Sequence, residues 1–163
     1  GKASAYGAEL NLKYSVVKGL MMFGNYAFIH SRFSDKDVDG TAQAYAGNRF
    51  RLTPDHSFTA GINAKWDISE KLAIFAVPSY SYKTKIYFED ANTQGLEQDA
   101  FGILNFNGGV ELTKLNFTLS LWGDNLLDQK YIISAGNMGS LFGDPTQIPG
   151  APKTFGTRLT WRF

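Results

Sequence analysis

The chain contains no cysteine. Disulfide staples, thiolate metal sites and cysteine nucleophiles are thereby excluded. It also lacks any apolar run near the roughly 18 residues that a membrane helix needs. The longest candidate, Leu20 to Ile29, is broken by Gly24 and Asn25. A bilayer would have to be crossed by strands. An excess of one charge is missing too: the net charge is +1, which gives no footprint for nucleic acid. Histidine is limited to His30 and His56. Neither has a second His at ligand spacing, so no metal or other cofactor is expected. No Gly-x-Ser-x-Gly elbow occurs and no Ser-His-acid set stands out. No catalytic residue is named and no enzyme is expected. No leader precedes the alternating sequence, which starts directly after Gly1-Lys2-Ala3-Ser4. The expectation is a parent whose N-terminal part is missing here or processed away.

What is present is unusual for a water-soluble core. Aromatic residues make up 15% of the chain, and 17 glycines accompany them. Hydrophobic residues reach 44%, yet the mean hydropathy is slightly negative. That mixture suits strands with one greasy face and one wet face.

Period-2 alternation predicts seven strands, at about 4–17, 20–33, 57–68, 71–88, 101–112, 115–133 and 153–163. The sixth starts near Leu115 and is expected to pass a bulge on its way to Ile133. In the first, Tyr6, Ala8, Leu10, Leu12, Tyr14 and Val16 share a face opposite Glu9, Asn11, Lys13 and Ser15. In the last, Phe155, Leu159, Trp161 and Phe163 oppose Arg158, Thr160 and Arg162. Pro78 lies inside the fourth and removes a ladder donor, so a bulge or a missing bond is expected there.

The connections alternate in length. Val17-Lys18-Gly19, Ser69-Glu70 and Thr113-Lys114 are tight turns. Ser34 to His56, Glu89 to Ala100 and Ser134 to Pro152 are long and polar. Short turns on one side and long loops on the other are the outer-membrane barrel pattern, with the short side periplasmic. Asp37, Asp55, Asn92 and Asp144 then belong to the outer side, and Lys18, Glu70 and Lys114 to the periplasmic side. Tyr6, Tyr26, Phe28, Phe58, Tyr80, Tyr82 and Phe155 fall near the outer ends; Tyr14, Trp66, Trp161 and Phe163 fall near the inner ends. Those are the two interfacial girdles. A soluble β-sandwich is the alternative, but it needs a second sheet over the apolar faces. Seven is odd, whereas bacterial single-chain barrels have even strand numbers. The expected fold is all-β: an antiparallel transmembrane β-barrel segment, the last third or so of a larger barrel.

Four stretches carry a family resemblance. They are Gly7-Ala8-Glu9-Leu10; Gly47-Asn48-Arg49-Phe50-Arg51-Leu52-Thr53-Pro54-Asp55-His56-Ser57; Asp124-Asn125-Leu126-Leu127-Asp128-Gln129-Lys130-Tyr131; and Gly150-Ala151-Pro152-Lys153-Thr154-Phe155-Gly156, running on to Trp161-Arg162-Phe163. Asn92-Thr93 is a slighter match. In this order and at these spacings, the chain resembles the C-terminal part of TonB-dependent outer-membrane receptors, the active transporters for siderophores, cobalamin and some carbohydrates.

The resemblance implies a barrel of about 22 strands with an N-terminal plug domain in its lumen. Residues 1–163 would be the C-terminal part of that barrel, with the plug absent. It implies energy-coupled uptake of a scarce ligand such as a siderophore, in the bacterial cell outer membrane. The implied partners are outer-membrane lipid, the remaining barrel strands and plug, TonB through the missing N-terminal segment, and the barrel assembly machinery. Leu159, Trp161 and Phe163 resemble the C-terminal signal that this machinery reads; they also suit a lipid-facing role. In the sixth-strand motif, Asn125, Leu126, Asp128 and Tyr131 mark where alternation stops. Asn125 and Asp128 can bond local backbone there, as a bulge or turn requires. Lumen-side charges such as Glu9, Lys13, Lys65, Lys83 and Glu111 read as a solvated wall or a plug-docking surface. The competing function is a small stand-alone barrel used for anchoring or adhesion.

Overall fold

The computed structural model describes residues 1–136 and 145–163. Residues 137–144, with Asp144 among them, lie outside the described residues. Seven long strands form one antiparallel sheet: β1 (Ala3–Val17), β2 (Leu20–Phe33), β3 (His56–Ser69), β4 (Leu72–Lys83), β7 (Phe101–Leu112), β8 (Phe117–Asp124) and β11 (Thr154–Trp161). Two short hairpins stand apart from it. One joins β5 (Ile86–Tyr87) to β6 (Glu97–Gln98), and the other joins β9 (Ile132–Gly136) to β10 (Thr146–Pro149). Among the described residues the only helical segment is a single 3-10 turn, Thr113–Leu115.

The order within the sheet is the order in the chain, so each long strand lies beside its chain neighbours. Strand register decides which side chains share a face, and a slip of one residue would invert them all. Here register keeps one face apolar and the other mainly polar across the sheet. Leu10 pairs with Tyr26, Tyr26 with Phe58 and Phe58 with Tyr82. Nearer the tight-turn end, Trp66 pairs with Ile74, Ile74 with Val110, Val110 with Leu119 and Leu119 with Leu159. The opposite face carries the polar rows, such as Asn11 beside Asn25, Asn25 beside Thr59 and Thr59 beside Ser81. Phe23 and Trp122 interrupt that face. Each lies over a glycine, Gly61 and Gly156, where an added Cβ would meet the ring.

The apolar face is bare. Leu10, Leu12, Leu119, Leu121, Leu159 and Trp161 are between 42% and 67% exposed. A sandwich would have covered them with a second sheet. Soluble monomers rarely leave a contiguous apolar face uncovered. Lipid is the solvent that suits it. The sheet is open, with β1 and β11 at its two edges.

Two sequence-based strand ends are corrected. The fourth strand was expected to reach residue 88, but β4 stops at Lys83. Its neighbour β3 begins at His56, and Thr84 closes the ladder: its N–H donates to the His56 carbonyl at 3.0 Å, and its hydroxyl accepts from the His56 N–H at 3.0 Å. Beyond this there is no strand to pair with, so Ile86–Tyr87 pairs with Glu97–Gln98 instead. The sixth strand was expected to pass a bulge and reach Ile133. It leaves the sheet at Asp124, because Asn125 takes a left-handed φ of 51° and turns the chain. At Pro78 pairing with β7 is continuous. On the β3 side it lapses between Gly61–Ser79 and Ala64–Ala76 and resumes in the same register. The missing donor thus leaves a gap and no bulge.

Candidate functional site

The tight turns, at Lys18-Gly19, Glu70-Lys71 and Thr113–Leu115, gather at one end of the sheet. The long connections, 34–55, 84–100 and the described parts of 125–153, gather at the other. These long connections are held to one another. Asn92, at φ 50°, accepts from the Arg49 N–H through its Oδ1 at 2.8 Å and donates to the Arg49 carbonyl at 2.9 Å. A side-chain amide thus pairs with Arg49 as a strand neighbour would. Around this clamp, Asn48 donates to the Asp90 carbonyl at 2.9 Å and Leu52 N–H to the Tyr87 carbonyl at 2.7 Å. The Arg49 guanidinium lies 5.7 Å over the Tyr87 ring and pairs with Asp55 at 2.9 Å. The second and third connections share a small apolar core of Phe88, Leu96 and Ala135, flanked by Ile86 and Ile132. The Ile132 N–H also donates to the Gln98 side chain at 2.7 Å.

Beneath this roof the polar face of the sheet forms a cavity of about 700 Å³. Its floor is the row Asn11, Asn25, Thr59 and Ser81, with the Thr59 and Ser81 hydroxyls 2.9 Å apart in a hydrogen bond. The next row outward brings Glu9, Ala27, Ser57, Lys83 and Phe101. Leu52, Ile86 and Ile132 line it from the loops. Sequence reasoning placed Glu9 and Lys83 on the wet face but missed the cavity and the Arg49–Asn92 clamp. The available signal was that both clamp residues fall in stretches carrying the family resemblance.

The motif residues come together where β8 ends. Asn125 is 2% exposed. Its Nδ2 donates to the Gln129 and Ala151 carbonyls, both at 3.0 Å, and its Oδ1 accepts from the Gln129 N–H at 2.9 Å. Its own N–H donates to the Asn105 side chain at 2.9 Å, and Leu126 N–H to the Leu104 carbonyl at 2.8 Å. Asp128, also left-handed at φ 51°, accepts from the Lys130 ammonium at 3.0 Å and the Lys153 N–H at 3.3 Å. The Lys130 bond and then the Lys153 bond hold its carboxyl below the ordinary aspartate value. Tyr131 stacks on Phe101 at 4.7 Å. It also lies against Gly150, where any Cβ would collide with its ring. The motif therefore ties β7, the end of β8 and the approach to β11 into one knot.

Leu159, Trp161 and Phe163 lie apart from this knot, at the tight-turn end on the apolar face. The Trp161 and Phe163 rings are 5.9 Å apart. Leu159 and Trp161 form an apolar groove with Leu112, Leu115 and Phe117. His56 and Tyr26 share a 2.8 Å hydrogen bond, and His30 stacks on Tyr6 at 5.0 Å, so both histidines belong to the aromatic band at the long-loop end. On the polar face Lys65 pairs with Glu111. Asp35, Asp37, Asp39 and Gly40 have calcium-loop spacing, but among the described residues no three acidic or histidine side chains converge as metal ligands.

The family profile described as TonB dependent receptor-like, beta-barrel matches residues 1–126. The chain belongs to this family and is a protein of the bacterial outer membrane. Solved structures agree in fold. The ferric yersiniabactin uptake receptor FyuA from Yersinia pestis superposes with a TM-score of 0.82 at 23% identity, over 95% of this chain and 23% of that one. The siderophore receptor PiuA from Acinetobacter baumannii gives 0.69 at 18% identity, over 96% of this chain and 21% of that one. The ferric-catecholate import receptor Fiu from E. coli, in its closed form, gives 0.67 at 20% identity, over 96% and 20%. This chain thus spans between a fifth and a quarter of each receptor's length. Comparison with curated protein sequences gave no match.

Proposed function

We propose that the chain is the C-terminal part of the barrel wall of an energy-coupled outer-membrane transporter for a scarce ligand such as a siderophore. The observation that carries this reading is the cavity on the polar face, roofed by outer loops that are bound to one another. A transporter needs a ligand chamber at its outer mouth, whereas an anchor does not. The solved structures similar in fold are receptors for ferric siderophores by their own descriptions, which supports the same ligand class. In this reading the remaining strands close the barrel and a plug fills the lumen. The N-terminal segment reaches TonB, and the assembly machinery reads Leu159, Trp161 and Phe163. The polar face, with Lys65, Glu111, Arg158 and Arg162, meets the plug. No covalent chemistry is required.

The test is uptake of radioactive iron from ferric chelates by iron-starved cells carrying the full-length protein. Uptake should depend on both that protein and TonB. Uptake unchanged by loss of TonB, or failure to bind any ferric chelate, would overturn the proposal.

A further inference from the structure

We infer that the part of the ligand seated against this wall is uncharged, hydrogen-bonding on its inward side and apolar on its outward side. The inference rests on the transport reading above and narrows its substrate class. The floor row, Asn11, Asn25, Thr59 and Ser81, is brought into line by the register of four strands. These four are neutral and offer both donors and acceptors, and the row ends on apolar Ile103 of β7. The Thr59–Ser81 bond uses one hydroxyl proton and leaves the other free. This row can therefore satisfy carbonyl oxygens and amide N–H groups alike, and it favours neither sign of charge.

The charges on the wall are Glu9 and Lys83, one of each sign. They sit in the next row outward, with Ala27 and Ser57 between them and Phe101 beyond Lys83. Three strand spacings separate them, about 14 Å. Their potentials oppose each other midway, over Ala27 and Ser57. Lys13, a row deeper on β1, does not line the cavity. A multiply anionic chelate pressed against this wall would lose water and find a single ammonium in return. Burying a charge without a partner is costly. A neutral chelate gives up less, and its C–H surface meets Leu52, Ile86 and Phe101. A ferric trihydroxamate of zero net charge has such a face; a trianionic ferric tris-catecholate does not.

The experiment uses the full-length protein and these two chelates as probes, with binding followed by intrinsic tryptophan fluorescence. The unsubstituted protein should bind the trihydroxamate at least about tenfold more tightly than the catecholate. Thr59→Lys and Thr59→Asp should each weaken trihydroxamate binding by about tenfold or more, whatever the sign introduced. Ser81→Ala, which keeps the wall neutral, should cost about tenfold or less, the worth of one hydrogen bond. Heat-modifiability on gels checks that each variant is folded. Tighter binding of the catecholate would overturn the inference while leaving the transport reading intact. So would a gain in binding of either probe on Thr59→Lys. Binding of neither chelate would overturn the inference, while the transport reading falls only if uptake is independent of TonB or no ferric chelate binds at all.

Discussion

The Asn125 side chain donates twice and accepts once, joining its own turn to Ala151 on the approach to β11. It does so from a left-handed backbone that asparagine tolerates better than most residues. Asn125→Ala would take this donor from the Gln129 and Ala151 carbonyls, and each part-buried bond lost costs about 0.5–1.5 kcal/mol. The left-handed φ adds a further ~1–2 kcal/mol for alanine. The variant of the full-length protein should lose its folded, fast-migrating form at a lower temperature on heat-modifiability gels. Asn125→Gly relieves only the backbone part and should recover a minority of the loss. Equal melting of wild type and Asn125→Ala would show that the knot holds without its amide. At the opposite end, Trp161 and Phe163 are 67% and 107% exposed on the apolar face. Trp161→Arg puts a charge near the inner interface, where the penalty is about 0–1 kcal/mol, against roughly 2–4 at the bilayer midplane. Deleting Phe163 removes little burial. A sharp drop in folded barrel at matched expression would therefore report recognition during assembly and not lost stability. Unchanged yield would leave these residues only their contact with lipid.

At the scale of elements, the Arg49–Asn92 clamp makes the 34–55 and 84–100 connections one unit. Asn92→Ala removes both bonds to Arg49 and places alanine at φ 50°. Hydrogen exchange at the Arg49 amide should accelerate strongly, and protease should reach the 84–100 connection sooner. Protection equal to wild type would show that Asp90 and Tyr87 suffice. The clamp also illustrates what the sequence could and could not tell. All seven long strands were legible because alternation is a local signal. Their tight turns were legible for the same reason. Strand ends were not, where the end depends on a partner. Lys83 and Lys85 continue the polar row, yet β4 stops because β3 has run out. The cavity was illegible because Asn11, Asn25, Thr59 and Ser81 become a row only once three registers are set. Leu96, 1% exposed in the loop core, sits in a polar stretch with no period to reveal it. The motif around Asn125 stood out by resemblance, but its partners Asn105 and Ala151 are 20 and 26 residues away.

Taken whole, the molecule is a sheet with its short turns at one end and its long connections at the other. In cells bearing the full-length protein, cysteines placed at Asp37, Asp55 and Asn92 should react with a membrane-impermeant maleimide. Those at Lys18, Glu70 and Lys114 should react only after the outer membrane is opened. Labelling at position 70 but not at position 37 in intact cells would invert the orientation. The strictly sequential strand order also has a mechanical side. A pull on the end of β11 is first borne by the eight residue pairs that β11 shares with β8. When they shear, the load passes to the seven pairs between β8 and β7, then to the β4 ladder, and so on across the sheet. Within the seven-stranded sheet no ladder joins strands that are not chain neighbours, so only ties between the long connections, such as Arg49–Asn92 and Asn125–Ala151, have to break together with a ladder. Such a sheet gives way in instalments, each paying out a set length of chain, so it can be drawn out strand by strand.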